Sequence, residues 1–180
     1  MAFFVAAPMG GGEQQEVYTW FMSIDTDRSG FITADELQAA LSSRGHTFDL
    51  GTARLLLRAF DRRGDGRIDV NEFGQLHHFI MTAKNAFNMQ DAYRTGQLTF
   101  EQARAGLAPL GLSAIDDRAF RSVAMRVTAS QSGTITYPQF MEIISLIGHI
   151  RNVFEYYDTD HDGWLQLRLN DFVAIASMLR

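Results

Sequence analysis

Oxygen-bearing side chains recur at regular steps in one short segment near the N-terminus of this 180-residue chain. They belong to Asp25, Asp27, Ser29, Thr33 and Glu36. Gly30 follows the third of them and can adopt the left-handed backbone that a sharp turn requires. Hard divalent cations such as Ca²⁺ take six to eight oxygen ligands, and a closing glutamate can supply two of them. The spacing therefore predicts a calcium site.

The order of these residues is that of an EF-hand loop, which supplies ligands from positions 1, 3, 5, 7, 9 and 12. The predicted ligands are Asp25, Asp27, Ser29, the backbone carbonyl of Phe31 and Glu36. We expect Thr33, at position 9, to act directly or through water. An acidic turn between two helices is the alternative, and the helical patterns on both sides of the segment favour the metal-binding loop.

Four later segments repeat the glycine and, two residues beyond it, an aliphatic residue. These pairs are Gly66 with Ile68, Gly96 with Leu98, Gly133 with Ile135 and Gly163 with Leu165. The repeat predicts five loops, at 25–36, 61–72, 91–102, 128–139 and 158–171. The fifth range allows for two inserted residues, which place Asp171 instead of Leu169 at the closing position.

The later loops are less complete than the first. The candidate ligands of loop two are Asp61, Asp65, the carbonyl of Arg67, Asp69 and Glu72. Arg63 puts a cation at position 3 of this loop, where an anionic ligand belongs, so we expect weak binding or none. Loops three and four end in Gln102 and Gln139, and we expect no physiological calcium in either.

Loop five begins with acidic residues but has no glutamate at its end. Its candidate ligands are Asp158, Asp160, Asp162 and the carbonyl of Trp164. Two interpretations remain open for this loop. It binds Ca²⁺ or Mg²⁺ weakly, or it is a structural piece of a dimer, because its ligand count is low for Ca²⁺.

The spacing of the loops predicts the helices that must position them. Loops two and three, and loops four and five, are separated by only 18 residues, enough for one helix of about 27 Å. Apolar residues line one face of each shared helix: Phe73, Leu76, Ile80, Ala83 and Phe87 in the first, and Phe140, Ile143, Ile147, Ile150 and Phe154 in the second. We interpret both stripes as core-facing.

These features together predict an all-α fold of five helix-loop-helix hands with shared long helices. EF-hand loops pair through a short antiparallel bridge at position 8, which satisfies backbone donors and acceptors. Hands one and two should pair, as should hands three and four. The fifth hand is then left with an open edge, and such an edge favours self-association.

Composition narrows the class of protein further. The chain contains no cysteine, which excludes a disulfide framework and fits a reducing compartment such as the cytoplasm. Its net charge of -5 argues against a nucleic-acid partner, because nucleic-acid-binding modules are usually basic. No stretch approaches the roughly 18 apolar residues of a membrane span, and no catalytic motif is present. Neither an integral membrane protein nor an enzyme is expected.

The five hands, the shared helices and a C-terminus soon after loop five resemble the penta-EF-hand family. The resemblance covers residues 17–180, and residues 1–16 are predicted to form a short flexible tail. It implies a calcium-dependent sensor or adaptor that dimerises through its fifth hand, with itself or with another five-hand chain, and binds a client protein or peptide. A regulatory subunit of a larger enzyme and a largely calcium-independent scaffold remain the alternatives. Peripheral membrane association also stays open.

Overall fold

A computed structural model describes residues 11–43, 45–128 and 133–178 of the chain. Within these ranges the helices are α1 (Gly11–Ile24), α2 (Ala34–Ser42), α3 (Leu50–Phe60), α4 (Val70–Gln90), α5 (Phe100–Ala105), α6 (Asp117–Thr128), α7 (Tyr137–Tyr157) and α8 (Leu169–Met178). The strands are β1 (Ile32–Thr33), β2 (Arg67–Ile68), β3 (Gln97–Thr99) and β4 (Thr134–Thr136). The predicted all-α class is confirmed.

The strands join the loops in the predicted pairs. β1 and β2 are antiparallel with Ile32 opposite Ile68, and β3 and β4 are antiparallel with Leu98 opposite Ile135. All four of these aliphatic residues are fully buried. Each bridge therefore fixes two loops to each other and also anchors them in the core. Leu165, the corresponding residue of loop five, lies in none of the described strands.

The same hydrogen bond marks the junction between each of the first four loops and the helix that follows it. The residue at position 9 precedes the helix, and its backbone N–H donates to the side chain at position 12. The pairs are Thr33 with Glu36 (3.0 Å), Asp69 with Glu72 (3.0 Å), Thr99 with Gln102 (2.8 Å) and Thr136 with Gln139 (2.9 Å). This half of a capping box satisfies a backbone donor at the start of the helix. Closing residues of the loops thus serve as helix caps as well.

Helices α4 and α7 are the two predicted shared helices, each 21 residues long. The stripe on α4 is buried throughout, from Phe73 to Phe87. The stripe on α7 is buried only as far as Ile147, since Ile150 is 38% exposed and Phe154 is half-buried. The core-facing interpretation is wrong for Ile150 and holds only in part for Phe154.

The N-terminal boundary also differs from the prediction. Helix α1 begins at Gly11, so residues 11–16 of the predicted tail are helical, and residues 1–10 lie outside the described part of the chain. The helix extends this far because residues 13–16 are glutamate and glutamine, which form helices well. Among the described residues, no helix is both long and apolar enough to cross a lipid bilayer.

Candidate calcium-binding loops

Loop one places its acidic residues around one point between α1 and α2. Asp25, directly after α1, is buried. Its Oδ1 accepts the backbone N–H of Ser29 (3.0 Å) and its Oδ2 that of Gly30 (2.9 Å). Asp27 Oδ1 accepts the same Ser29 N–H at 2.9 Å. Gly30, with φ of 81°, makes the turn that brings these donors inward.

Glu36 closes loop one from the first turn of α2. Its Oε2 accepts the backbone N–H and the hydroxyl of Thr33 (3.0 and 2.9 Å), and its Oε1 accepts the N–H of Thr26 (3.0 Å). Burial raises the pKa of Glu36, but the hydrogen bonds from Thr33 and Thr26 outweigh burial and hold the pKa below its ordinary value. Glu36 is therefore a carboxylate at neutral pH.

The donor set of loop one fits a calcium ion. Asp25, Asp27 and Glu36 each present a carboxylate oxygen within 4.8 Å of the others. The hydroxyl and the backbone N–H of Ser29 lower the pKa of Asp27, so this ligand is also ionised. A cluster of anionic oxygens with no nitrogen or sulfur donor suits a hard cation. The structure brings the predicted residues of loop one together.

Loop two has the same backbone plan but a different interior. Asp61 accepts the N–H groups of Gly64 and Gly66, both at 2.8 Å. Arg63 Nη2 lies 3.1 Å from Glu72 Oε2, and its guanidinium also pairs with Asp65 and Asp69. The predicted carboxylates therefore surround an arginine and do not present a free cluster. This donor set does not fit a calcium ion.

Loop three is closed by internal hydrogen bonds. Asp91 accepts from the N–H and hydroxyl of Thr95 (2.8 and 3.0 Å) and from the N–H of Gly96 (2.7 Å). The side-chain amide of Gln102 donates to the carbonyl of Gln90 at 3.1 Å, whereas a calcium loop needs an acceptor there. In loop four, Ser130 and Ser132 lie outside the described residues. The absence of calcium from loops three and four stays a prediction.

Loop five forms the second acidic cluster of the described chain, from Asp158, Asp160 and Asp162. Asp158 is buried; its Oδ2 accepts the N–H of Gly163 at 3.1 Å, while its Oδ1 is buried without a hydrogen-bond partner within the described ranges. A cation would satisfy that oxygen. The carbonyl of Trp164 is a predicted ligand. The side chain of Trp164 is exposed, and its backbone N–H donates to Asp162 Oδ1 at 2.7 Å.

The end of loop five follows the pattern of the other loops with a shift of two residues. The N–H of Arg168 donates to Asp171 Oδ2 at 3.1 Å, directly before α8. Arg168 and Asp171 thus occupy the places that position 9 and position 12 have elsewhere. Aspartate is shorter than glutamate, so the loop closes with a carboxylate of less reach.

The sequence pattern predicts the acidic residues of the loops but not the role of two other side chains. Arg63 turns inward to the loop carboxylates, although a charged side chain could equally point to solvent. Phe31 is a predicted ligand through its carbonyl, yet its ring centroid also lies 4.9 Å from Cζ of Arg63 and 4.1 Å from Cζ of Arg67 in the neighbouring loop. The pairing of loops one and two could have suggested this contact, but no local pattern does.

Comparisons with known proteins agree with this geometry. The family model described as an EF-hand domain pair matches residues 14–76. A solved structure of a homologue of programmed cell death 6 protein from Leishmania major Friedlin has 30% sequence identity and a TM-score of 0.67, covering 96% of this chain and 100% of that one. Human peflin is 28% identical over 90% of this chain, and human sorcin 27% identical over 91%.

The helix-loop-helix units and their acidic clusters thus define an EF-hand protein, and Ca²⁺ is the ion that it binds. More specifically, the chain belongs to the penta-EF-hand family. It spans 57% of human peflin and 83% of human sorcin. About three fifths of the length of the peflins is therefore represented here.

Proposed function

We propose that this protein is a calcium sensor and adaptor that is regulatory and not catalytic. Calcium binds loop one, changes the angle between the helices on either side of it, and alters a cleft in which a client segment docks. The observation that carries this proposal is the convergence of Asp25, Asp27 and Glu36 within 4.8 Å of one another. Their hydrogen bonds in the loop hold them ready for a cation.

The helix that enters loop one connects the ion site to the rest of the molecule. Trp20 lies on α1, one turn before Asp25, and its ring meets Phe73 and His77 of α4 edge-on at 5.5 and 4.9 Å. A shift of α1 relative to α4 must change these contacts. Because EF-hand sensors open by changing such an interhelical angle, Trp20 is placed to respond to calcium.

A cleft of about 660 Å³ borders the same helix. Four aromatic residues and three charged residues are among those that line it: Trp20, Phe48, Phe87, Tyr137, Lys84, Asp91 and Arg94. Burial raises the pKa of Tyr137 to about 12, so its hydroxyl stays a hydrogen-bond donor at any physiological pH. Mostly apolar walls with a few polar groups are typical of ligand clefts of this size. A short apolar client segment is the occupant that we propose.

The experiment that tests calcium sensing is a titration of the Glu36→Gln variant. Loop one of the unaltered chain should bind with a dissociation constant of about 10⁻⁷–10⁻⁵ M, the range of sensor hands. The substitution should remove the tightest event in calorimetry. In a Trp164→Phe background, Trp20 is the remaining tryptophan of the two in the chain. Its fluorescence should change with calcium, and the change should disappear with Glu36→Gln.

Either of two results would contradict the proposal that this protein is a calcium sensor. The tightest binding event persists in the Glu36→Gln variant, or calcium leaves both Trp20 fluorescence and the binding of a hydrophobic dye unchanged. The first result would move the ion site away from loop one. The second would favour the calcium-independent scaffold.

We further propose that the fifth hand joins two chains. Phe172 and Val173 on α8 are 59% and 58% exposed, and Trp164 is 80% exposed. Four other loops are bridged in pairs, and a two-fold dimer would give the fifth loop the same kind of bridge. The partner is a second copy or another five-hand chain, as in a regulatory subunit. Light scattering in chelator at micromolar concentration tests this: a monomer of about 20 kDa would contradict the homodimer.

The proposed place of action is the cytoplasm. The absence of cysteine from the chain supports it, because a reducing compartment places no demand for disulfides. Fractionation of cells that express a tagged full-length protein, with and without calcium, tests this and also the peripheral membrane association left open above.

A further inference from the structure

Loop two contains a cation of its own. The guanidinium of Arg63 lies 3.1 Å from Glu72 Oε2 through Nη2, 3.6 Å from Asp69 Oδ2 through Nη1, and 3.9 Å from Asp65 Oδ2 through Nε. Asp65, Asp69 and Glu72 stand at positions 5, 9 and 12, which bind the ion in a filled EF-hand loop. The arginine therefore engages the carboxylates that calcium would need.

The neighbouring loop completes the surroundings of this arginine. The ring of Phe31 lies 4.9 Å from Cζ of Arg63, a distance at which a guanidinium is attracted to an aromatic ring. The bridge between Ile32 and Ile68 holds the two loops in register, so the ring stays in place. Three carboxylates and an aromatic ring thus contact the Arg63 guanidinium, and the same ring also lies 4.1 Å from Cζ of Arg67.

The burial of Glu72 gives the positive charge of Arg63 a structural role. The Glu72 side chain is only 7% exposed, and a buried carboxylate without a positive partner is strongly unfavourable. Glu72 accepts the backbone N–H groups of Arg62 and Asp69, as the equivalent Glu36 accepts those of Thr26 and Thr33. Arg63 is the additional partner of Glu72, whereas the oxygen of Glu36 clusters with those of Asp25 and Asp27. Loop two forms no such three-acid cluster in the described part of the chain.

We propose that Arg63 is a tethered cation that takes the place of calcium in hand two. Hand two then has the charge balance of a filled hand without metal and binds no calcium. This inference rests on the proposed function, which assigns calcium sensing to loop one, and deepens it. Hand one of the pair responds to calcium, whereas the charge balance of hand two does not depend on calcium. Calcium could enter loop two only by displacing the guanidinium from three carboxylates.

The direct test is to replace the tethered cation by the missing ligand. Arg63→Asp gives loop two a net charge of -3, equal to that of loop one. In the full chain carrying Glu36→Gln, which removes loop one from the measurement, Arg63→Asp should create a calcium-binding event at least tenfold tighter than any at loop two of the Glu36→Gln parent. Adding Glu72→Gln should abolish the new event.

A neighbouring arginine provides the matched control. Arg62→Asp changes the charge of loop two by the same amount as Arg63→Asp, but the guanidinium of Arg62 contacts Gln75 outside the loop. Arg62→Asp should not create the new event. An equal gain from Arg62→Asp would overturn the proposal in favour of a general charge effect, and so would no gain from Arg63→Asp.

A second measurement does not depend on new metal binding. In chelator, Arg63→Ala should lower the melting temperature more than Arg62→Ala, because it leaves Glu72 without its cation, and added calcium should recover part of the loss in the Glu36→Gln background. Equal melting temperatures for the two alanine variants would overturn the proposal.

Failure of the Arg63 proposal and failure of the proposed function of loop one give different results. A titration of the Glu72→Gln variant, with Glu36 and Arg63 intact, should leave the tight event of the unaltered chain unchanged. Loss of that event would show that loop two binds calcium despite Arg63 and would overturn the tethered cation. Persistence of the event in Glu36→Gln would instead contradict the proposed function of loop one.

Discussion

Loops one and five contain the same kind of three-acid cluster, yet their surroundings differ. Loop one is bridged to loop two, and Ile32 in its bridge is fully buried. Loop five has no bridge in the described ranges, and the helix after it exposes Phe172 and Val173. Both clusters arise from short stretches of sequence. The residues around a cluster become buried only when the hand pairs with another hand, as hand one does with hand two.

The first carboxylates of the two loops, Asp25 and Asp158, differ in the same way. Asp25 accepts hydrogen bonds with both carboxylate oxygens, whereas Asp158 keeps one buried oxygen without a hydrogen-bond partner within the described residues. Loop one is therefore satisfied before it meets an ion. Loop five has more to gain from a cation or from a partner chain.

The largest expected effect concerns the exposed fifth hand. Phe172→Asp with Val173→Asp should shift the dimer toward monomer by about a thousandfold, since truncating or charging central apolar residues of an interface costs about 2 kcal/mol or more for each. Sedimentation over a concentration series measures this shift. Met89→Asp, at a 74% exposed site on α4, is the control and should leave the dimer intact. A dimer that survives the double substitution places its interface elsewhere.

The next effect separates a bridged loop from an unbridged one. Ile68→Ala should lower the free energy of unfolding by about 2–4 kcal/mol, because it opens a cavity at a fully buried site. Leu165→Ala, made in the Phe172→Asp and Val173→Asp background, should cost about 1 kcal/mol or less, since Leu165 is only half-buried. Urea unfolding in chelator gives both values. Equal costs would mean that loop five is bridged within one chain.

A smaller effect is expected from lengthening the side chain that closes loop five. Asp171→Glu should strengthen calcium binding at this loop by about tenfold, or 1.4 kcal/mol, because glutamate can reach the ion with two oxygens. Calorimetry in the Glu36→Gln background measures it, with Asp171→Gln as the uncharged control. If Asp171→Gln binds as well as Asp171→Glu, Asp171 does not close the site.

The smallest expected effect is a change in stability on substituting Glu142 of α7, which belongs to the paired hands. Burial, and then the charge of Asp49, raise the pKa of Glu142, and Arg126 opposes them. A raised pKa means that the protonated form favours the folded state, so the folded state loses this advantage as the pH rises through the folded pKa. Glu142→Gln should therefore stabilise the protein by a few tenths of a kcal/mol at pH 7.

The same variant should show almost no gain near pH 4, where Glu142 is largely protonated. Thermal unfolding at the two pH values, with Glu101→Gln at an exposed site as the control, measures the difference. A gain that is independent of pH would mean that the carboxylate charge is not the cause.

Much of the fold follows from patterns that repeat along the chain. The glycine and aliphatic pairs located every loop, and the spacing located both shared helices. The stripe on α4 predicted burial from Phe73 to Phe87 correctly, but in the equivalent stripe on α7 Ile150 is exposed and Phe154 is only half-buried. Periodicity identifies an apolar face, but it cannot show whether another element covers that face. The exposed end of α7 belongs to the unpaired hand.

The sequence by itself determined where the acidic residues cluster and which loops pair, because the loop pattern repeats at fixed spacing and carries an aliphatic residue at position 8 each time. The tertiary structure decided how each loop is used. Arg63 of loop two contacts Phe31 of another hand, and Phe172 after the unbridged loop five stays exposed in the described chain. Such contacts join distant segments, so their charge balance and burial exist only after the hands have packed together.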